Sequence, residues 1–272
     1  MKNLIIILTT LLTFTSCFKE RIELDNNTDE NKKIVITGWI TPLDEPQFIA
    51  ISQTVNYLGS FTPDSVSDAI VTIEDATTTY NLEEKEAGFY YLPEDWTARV
   101  GDDYKLTVEV NNNTYTSTHK MRPCPEIENP GFEISEDYDE EEDEDLIFDS
   151  IFSFQEFEGE GDGYYASTYP KGTMFGDSLI YGGFADDSFV DGQYFEDIPL
   201  STGVYFTIGD TAIIDFFSIG LETSDYLQDI ENEIFRGSPF DAPPANVRTN
   251  IEGGAIGYFI ASDARRTEFV LE

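Results

Sequence analysis

Two thiols, Cys17 and Cys124, are the residues best suited to covalent chemistry in this sequence, and they sit in opposite settings. Cys17 closes the stretch Leu12-Thr13-Phe14-Thr15-Ser16-Cys17, where an apolar run stops and Phe18-Lys19-Glu20-Arg21 turns polar at once. The small pair Thr15-Ser16 before the cysteine is what a lipoprotein signal peptidase requires, because the cleaved bond must fit a narrow site beside a diacylated thiol. Phe14 stands where Leu is usual. The expected chemistry is a thioether-linked diacylglycerol on the Cys17 sulfur and an amide-linked acyl chain on the amino group that cleavage exposes. Three chains exceed the two signals that stable anchoring takes. The other reading is an ordinary secretory signal cut nearby, which leaves Cys17 a free thiol.

Cys124, in Arg122-Pro123-Cys124-Pro125, follows shortly after the one histidine, His119. A Cys/His nucleophile pair is formally available, but no orienting residue or Cys-Gly motif accompanies it, so a structural thiol at a domain junction is expected. If Cys17 is acylated, Cys124 has no partner for an intrachain disulfide. One His and one free Cys cannot build the usual ligand set of zinc. Oxygen ligands abound instead in Glu136 to Asp145 (EDYDEEEDED). Hard cations want several oxygens, yet this run has no Gly to force a turn and no spaced ligand pattern, so it reads as a solvated, self-repelling interdomain linker. Weak calcium binding at this acidic loop is the alternative. We assign no catalytic residue, no metal ligand and no cofactor, since a nucleophile elbow, an HExxH helix and a Ser/His constellation are all missing. With 54 acids in the chain, paired carboxylates discriminate nothing unless a cleft holds two at about 5 to 9.5 Å.

The elements that must position these groups are strands. Met1-Lys2-Asn3 and the apolar run Leu4 to Phe14 form a signal sequence, since about 16 Å of helix is too short for a hydrocarbon core of about 30 Å. The expected organisation is a signal peptide over 1–16, a lipidated tether over 17–32, a sandwich over 33–122, an acidic linker over 123–145 and a second β domain over 146–272. β-branched and aromatic runs at Lys33–Ile40, Gln47–Gln53, Ala69–Glu74, Thr78–Leu82, Gly88–Leu92, Tyr104–Val110 and Asn113–His119 predict seven strands of an immunoglobulin-like or transthyretin-like sandwich. Tyr104 after Gly101-Asp102-Asp103 resembles a tyrosine corner. The second domain is expected to hold strands at Leu146–Phe157, Tyr164–Tyr169, Met174–Tyr181, Gln193–Ile198, Val204–Ile208 and Thr211–Ile219. A helix over 224–236 should be capped by Ser224 and ended by Gly237, and Ala255–Ala261 with Arg266–Leu271 should close the domain as a hairpin. Gly159-Glu160-Gly161-Asp162-Gly163 precedes a Tyr-rich strand rather than a helix and lacks a Lys, so it is a turn and not a phosphate loop. The fold class is all-β with one packed helix.

Charge excludes some partners. A formal net charge of -39 leaves no clustered Lys and Arg to displace counterions from nucleic acid, and disfavours adsorption to anionic lipid, so membrane attachment must come from acyl chains. Tyr164, Tyr165, Tyr169, Phe175, Tyr181 and Phe184 could stack on a sugar or a peptide, although such residues commonly fill cores.

Ile34-Val35-Ile36-Thr37-Gly38-Trp39-Ile40, the Gly159 to Tyr165 turn, Phe189-Val190-Asp191-Gly192-Gln193, and Pro239-Phe240-Asp241-Ala242-Pro243-Pro244-Ala245-Asn246-Val247 with Asn250-Ile251-Glu252-Gly253-Gly254-Ala255-Ile256-Gly257-Tyr258-Phe259 together resemble one family. It is a domain-of-unknown-function family of Bacteroidota outer-membrane lipoproteins. The resemblance implies a lipid-anchored, two-part β protein on the periplasmic or cell-surface face of the outer membrane, encoded beside a TonB-dependent receptor and serving nutrient uptake without established enzymatic activity. Lys19-Glu20 resembles the charged signal that sends such lipoproteins to the cell surface. The leading expectation is a non-catalytic accessory or substrate-capturing partner of a TonB-dependent transporter; the alternative is a structural or adhesive envelope protein with weak calcium binding. Replacing Cys17 by Ser should abolish acylation: the full chain, expressed in a lipoprotein-processing host, should move from the detergent phase to the aqueous phase and lose the mass of the acyl groups.

Overall fold

A computed structural model describes residues 32–55, 62–140, 145–173, 182–188, 191–200, 203–235 and 245–272. Cys17, the signal sequence and nearly all of the tether lie outside them. Residues Lys33–Glu272 form one compact unit. In chain order the strands are β1 (Ile34–Ile40), β2 (Phe48–Gln53), β3 (Ile70–Glu74), β4 (Thr79–Asn81), β5 (Glu83–Glu86), β6 (Phe89–Tyr91), β7 (Asp103–Val110) and β8 (Asn113–Lys120). After these come β9 (Glu128–Ile134), β10 (Phe148–Gln155), β11 (Gly163–Pro170), β12 (Gly182–Asp186), β13 (Tyr194–Pro199), β14 (Thr211–Ser218), helix α1 (Gly220–Ile234), β15 (Ile256–Ala261) and β16 (Ala264–Val270). The protein is all-β apart from α1 among the described residues.

Two pairs of sheets build it. The first sandwich packs β15-β1-β2-β6-β5 on β4-β3-β7-β8. Period-two alternation makes this work: β7 turns Tyr104, Leu106, Val108 and Val110 inward, where they meet Ile36, Ile49 and Ile73 from other strands. Tyr104 is indeed a corner. Its hydroxyl accepts the Arg99 N–H at 2.6 Å and donates back to the Arg99 carbonyl at 3.3 Å, which fixes the turn entering β7. The second pair sets β13-β10-β9 against β12-β11-β14-β16. The latter sheet is covered on both faces. One face, with Tyr164, Ala166, Ile214 and Phe216, meets β10; the other, with Tyr165 and Phe217, meets Leu227 of α1 and Trp39 of β1.

Several expectations need correction. Residues 255–261 and 266–271 do not form a hairpin: β15 runs parallel to β1, from Val35 opposite Ile256 to Ile40 opposite Ala261, while β16 pairs with β14. The two-residue link Ser262-Asp263 therefore steps from one sandwich to the other. Glu128–Ile134, expected within the linker, is strand β9. Helix α1 starts at Gly220 rather than at 224, and Ser224 is not its cap; the side chain is buried inside the helix, packed against Gly163. The expected end at Gly237 lies outside the described residues, as does the strand expected at 174–181. Residues 204–208 form only a bridge, Phe206 to Phe148. Strands β5 and β12 were not anticipated.

Gly257 makes the parallel pairing feasible. Its φ is +112°, and a Cβ there would stand 2.0 Å from the Ile36 carbonyl oxygen. Gly254 has a similar φ of +95° with nothing within 4 Å. Gly254→Ala should therefore cost only the backbone strain, about 1 kcal/mol, while Gly257→Ala should cost about 2 to 4 kcal/mol by equilibrium denaturation, with amide protection lost first along β15.

Candidate functional site

A cavity of about 250 Å³ opens between the facing sheets of the second sandwich, at the end where β12 and β13 are both edge strands. Its walls follow from alternation. Phe152 and Phe154 project inward from β10, Tyr164 and Ala166 from β11, Phe195 and Ile198 from β13, and Phe216 from β14. The rings brace one another: Phe154 lies 4.9 Å from Phe195 with planes 16° apart, 4.8 Å from Phe216, and Tyr164 stacks on Phe216 at 5.5 Å.

Two bulges shape the strand beneath. Against Phe152 and Phe154, β13 runs three residues from Ile198 to Phe195; against Ile151 and Ser153, β9 runs three from Gly131 to Glu128. The extra residues include Asp197 and Asn129, with φ of 50° and 48°. Ser153 supports the first bulge by accepting the Asp197 N–H at 2.9 Å. Bulges of this kind bend a strand and re-aim its side chains, here at both edges of β10 beside the cavity.

Carboxylates form the rim. Glu156 follows β10 directly, Asp187 follows β12, and Asp191 precedes β13; one oxygen from each lies within 4.8 Å of the others. The Gly159–Gly163 turn secures them. The Gly161 and Asp162 amides donate to Asp187 Oδ2 at 2.7 and 3.0 Å, and the Gly159 amide donates to Asp191 Oδ1 at 2.7 Å. Glu156 accepts the Tyr164 hydroxyl at 3.2 Å and the Gly192 amide. Glu156 and Asp187 are only 2% and 3% exposed. Burial pushes the Glu156 carboxyl up from its ordinary range, with Asp162 and Asp191 adding repulsion. Asp162 is likewise raised by burial, which Arg122, 3.6 Å away, partly offsets.

Chemically, this rim favours positive charge. Three carboxylates suit a hard cation but fall short of the six to eight oxygens calcium usually takes. The expected acidic loop is elsewhere: Glu136 to Glu140 are mostly exposed, Asp137 accepts the Tyr205 hydroxyl, and 141–144 lie outside the described residues.

The sequence-derived aromatics divide. Tyr164 lines the cavity, whereas Phe184 borders it at the edge strand and packs its ring with Tyr165, its cross-strand partner, on the other face of the sheet. Tyr165 is buried on the opposite face, 5.4 Å from Trp39, and Tyr169 donates to Asp215 at 2.9 Å. Phe175 and Tyr181 lie outside the described residues. Sequence reasoning missed Phe152, Phe154, Phe195 and Phe216 as walls and Glu156, Asp187 and Asp191 as rim; the available signal was the Phe-x-Phe-x-Glu alternation at 152–156.

His119 and Cys124 do not make a nucleophile pair. The imidazole bridges three elements, with Nε2 2.9 Å from Thr223 Oγ1 and Nδ1 3.1 Å from the Ala261 carbonyl. Cys124 is buried, its amide donating to Asp263 at 2.9 Å and its thiol to the Phe216 carbonyl at 3.4 Å; burial pushes the thiol far up, so it stays protonated.

A family model described as Domain of unknown function (DUF4249) matches residues 19–268. No curated protein matches the chain.

Burial holds the His119 pKa below its ordinary 6.5, against Glu222, which raises it. The unfolded chain then takes up the proton first, so stability is unaffected above pH 6.5 and falls as pH drops below it, by up to about 1.4 kcal/mol per pH unit until the folded pKa is reached. Other groups titrate too, so the check is the difference: the stability of wild type minus that of His119→Gln should fall as pH drops below 6.5 and stay nearly flat between pH 7 and 8.

Proposed function

Since the chain belongs to the DUF4249 family, whose description assigns no activity, we propose a lipid-anchored, non-catalytic capture protein that works beside a TonB-dependent outer-membrane transporter. The observation that carries the binding role is the open cavity between β10, β11, β12 and β13, walled by aromatic rings and rimmed by carboxylates. Pockets of this composition bury the apolar body of a small ligand and orient it with a few polar groups. The anchor rests on Thr15-Ser16-Cys17 after an apolar run, and the polar stretch Asp25 to Lys33 gives the β body reach from the membrane surface. The transporter partnership and a Bacteroidota outer-membrane setting rest on the family landmarks. Two of those landmarks, 34–40 and 250–259, pair with each other as β1 and β15.

Binding fits the chemistry better than bond breaking, because the one described thiol is buried and protonated and His119 is engaged at both ring nitrogens. A second reading, a structural or adhesive envelope protein that holds a cation, draws on the Glu156, Asp187 and Asp191 cluster. Purifying the tagged, acylated protein from native outer membranes separates the two. A stoichiometric transmembrane β-barrel should accompany it; recovery of the anchored chain alone would return the protein to the structural reading.

A further inference from the structure

The capture reading leaves the ligand open, and the cavity narrows it. An apolar protein cavity of about 150 Å³ accommodates benzene, so the 250 Å³ here has room for two fused rings. Its walls favour flat ligands: Phe152, Phe154, Phe195 and Phe216 present faces and edges to the same space, where an added ring finds offset or edge contacts. Polar discrimination is confined to the rim. Glu156 and Asp187 both line the cavity, Asp191 stands within 4.8 Å of them, and the basic group close by, Arg122, is turned to Asp162. An anion entering here would meet clustered carboxylates under a net charge of -39. A cation would relieve that repulsion, and the ring faces beside it add attraction.

We propose that the cavity binds a one- or two-ring aromatic cation, with the ring between the facing sheets and a protonated amine at Asp187 and Glu156. This rests on the capture reading and deepens it. The geometry also supplies a way to close the site. Gly183 on β12 sits opposite Ala166, shares its face of the sheet, and a Cβ there would meet nothing within 4 Å. A leucine at 183 therefore extends into the cavity without displacing backbone.

The test uses three probes on one ring, 1-naphthylmethylammonium, 1-naphthylmethanol and 1-naphthylacetate, titrated calorimetrically into the purified chain. The cation should bind about tenfold or more tighter than the anion, with the neutral alcohol between, and added salt should shrink the spread. Asp187→Asn keeps an oxygen for the Gly161 and Asp162 amides; it should weaken the cation by about tenfold and leave the alcohol unchanged. Gly183→Leu should abolish binding of all three at an unchanged melting temperature, and Ala185→Leu on the same strand serves if that variant fails to fold. Equal affinity for cation and anion would overturn the charge assignment and leave an aromatic-binding cavity. No binding of any probe to the folded wild type would overturn the proposal, whereas the capture role itself stands or falls by the co-purifying barrel.

Discussion

Gly257 carries no Cβ, and the Ile36 carbonyl oxygen lies 2.0 Å from where one would be, so glycine at that position lets β15 run close and parallel to β1 without strain. The link to the second sandwich starts from that contact. Once β15 is docked, Asn250 clamps it by accepting the Phe259 N–H at 2.9 Å and donating to the Phe259 carbonyl at 2.7 Å. The next residues then have a fixed starting point. Ser262 accepts the Trp39 indole N–H at 2.8 Å, Asp263 receives the Cys124 amide, and β16 begins at Ala264 against β14. Trp39 completes the junction by packing 4.9 Å from Phe217, on the face of the second sheet turned away from the cavity. The cavity's floor is thus held from behind by the first sandwich.

Charge inside this junction is paired rather than avoided. Asp215 is 1% exposed and receives both Nε and Nη2 of Arg266, at 2.5 and 2.7 Å, together with the Tyr169 hydroxyl. A two-pronged pair of this geometry meets much of the desolvation cost of the carboxylate, and a register slip would strand a buried charge. It ties neighbouring strands β14 and β16 at Asp215 opposite Arg266, and so locks the register of the sheet whose other face forms the cavity wall.

The strands of the first sandwich were legible because alternation is local. Tyr104, Leu106, Val108 and Val110 show it without reference to any partner, and the corner at Tyr104 could be read from the residues just before it. The partner of β15 was not legible, because an apolar run such as Ile256 to Ala261 fits a hairpin and a parallel edge equally well; only the missing Cβ at 257 distinguishes them. Strand β9 was hidden within the expected linker because Asn129, Pro130 and Gly131 disfavour strands until β10 supplies their partner. Ser224 looked like a helix cap because serine has that preference, yet here it fills the contact with Gly163 and the helix starts earlier with Glu222 in its first turn. The cavity was least legible of all. It depends on two bulges and a glycine on an edge strand, and each of these is a missing or displaced side chain rather than a pattern.

The Gly159–Gly163 turn shows how the same residues can build opposite electrostatics. Gly159 and Gly161, with φ of +129° and +114°, turn nearby amides outward as anion-binding loops do. In a phosphate site such amides await an external anion. Here Asp191 takes the Gly159 amide and Asp187 takes those of Gly161 and Asp162, so the protein's own carboxylates occupy that role. The amides stabilise the rim acids without cancelling their charge. A turn built to bind anions thereby holds an acidic rim in place, at the mouth of a ring-lined cavity where incoming positive charge finds its counterpart already ordered.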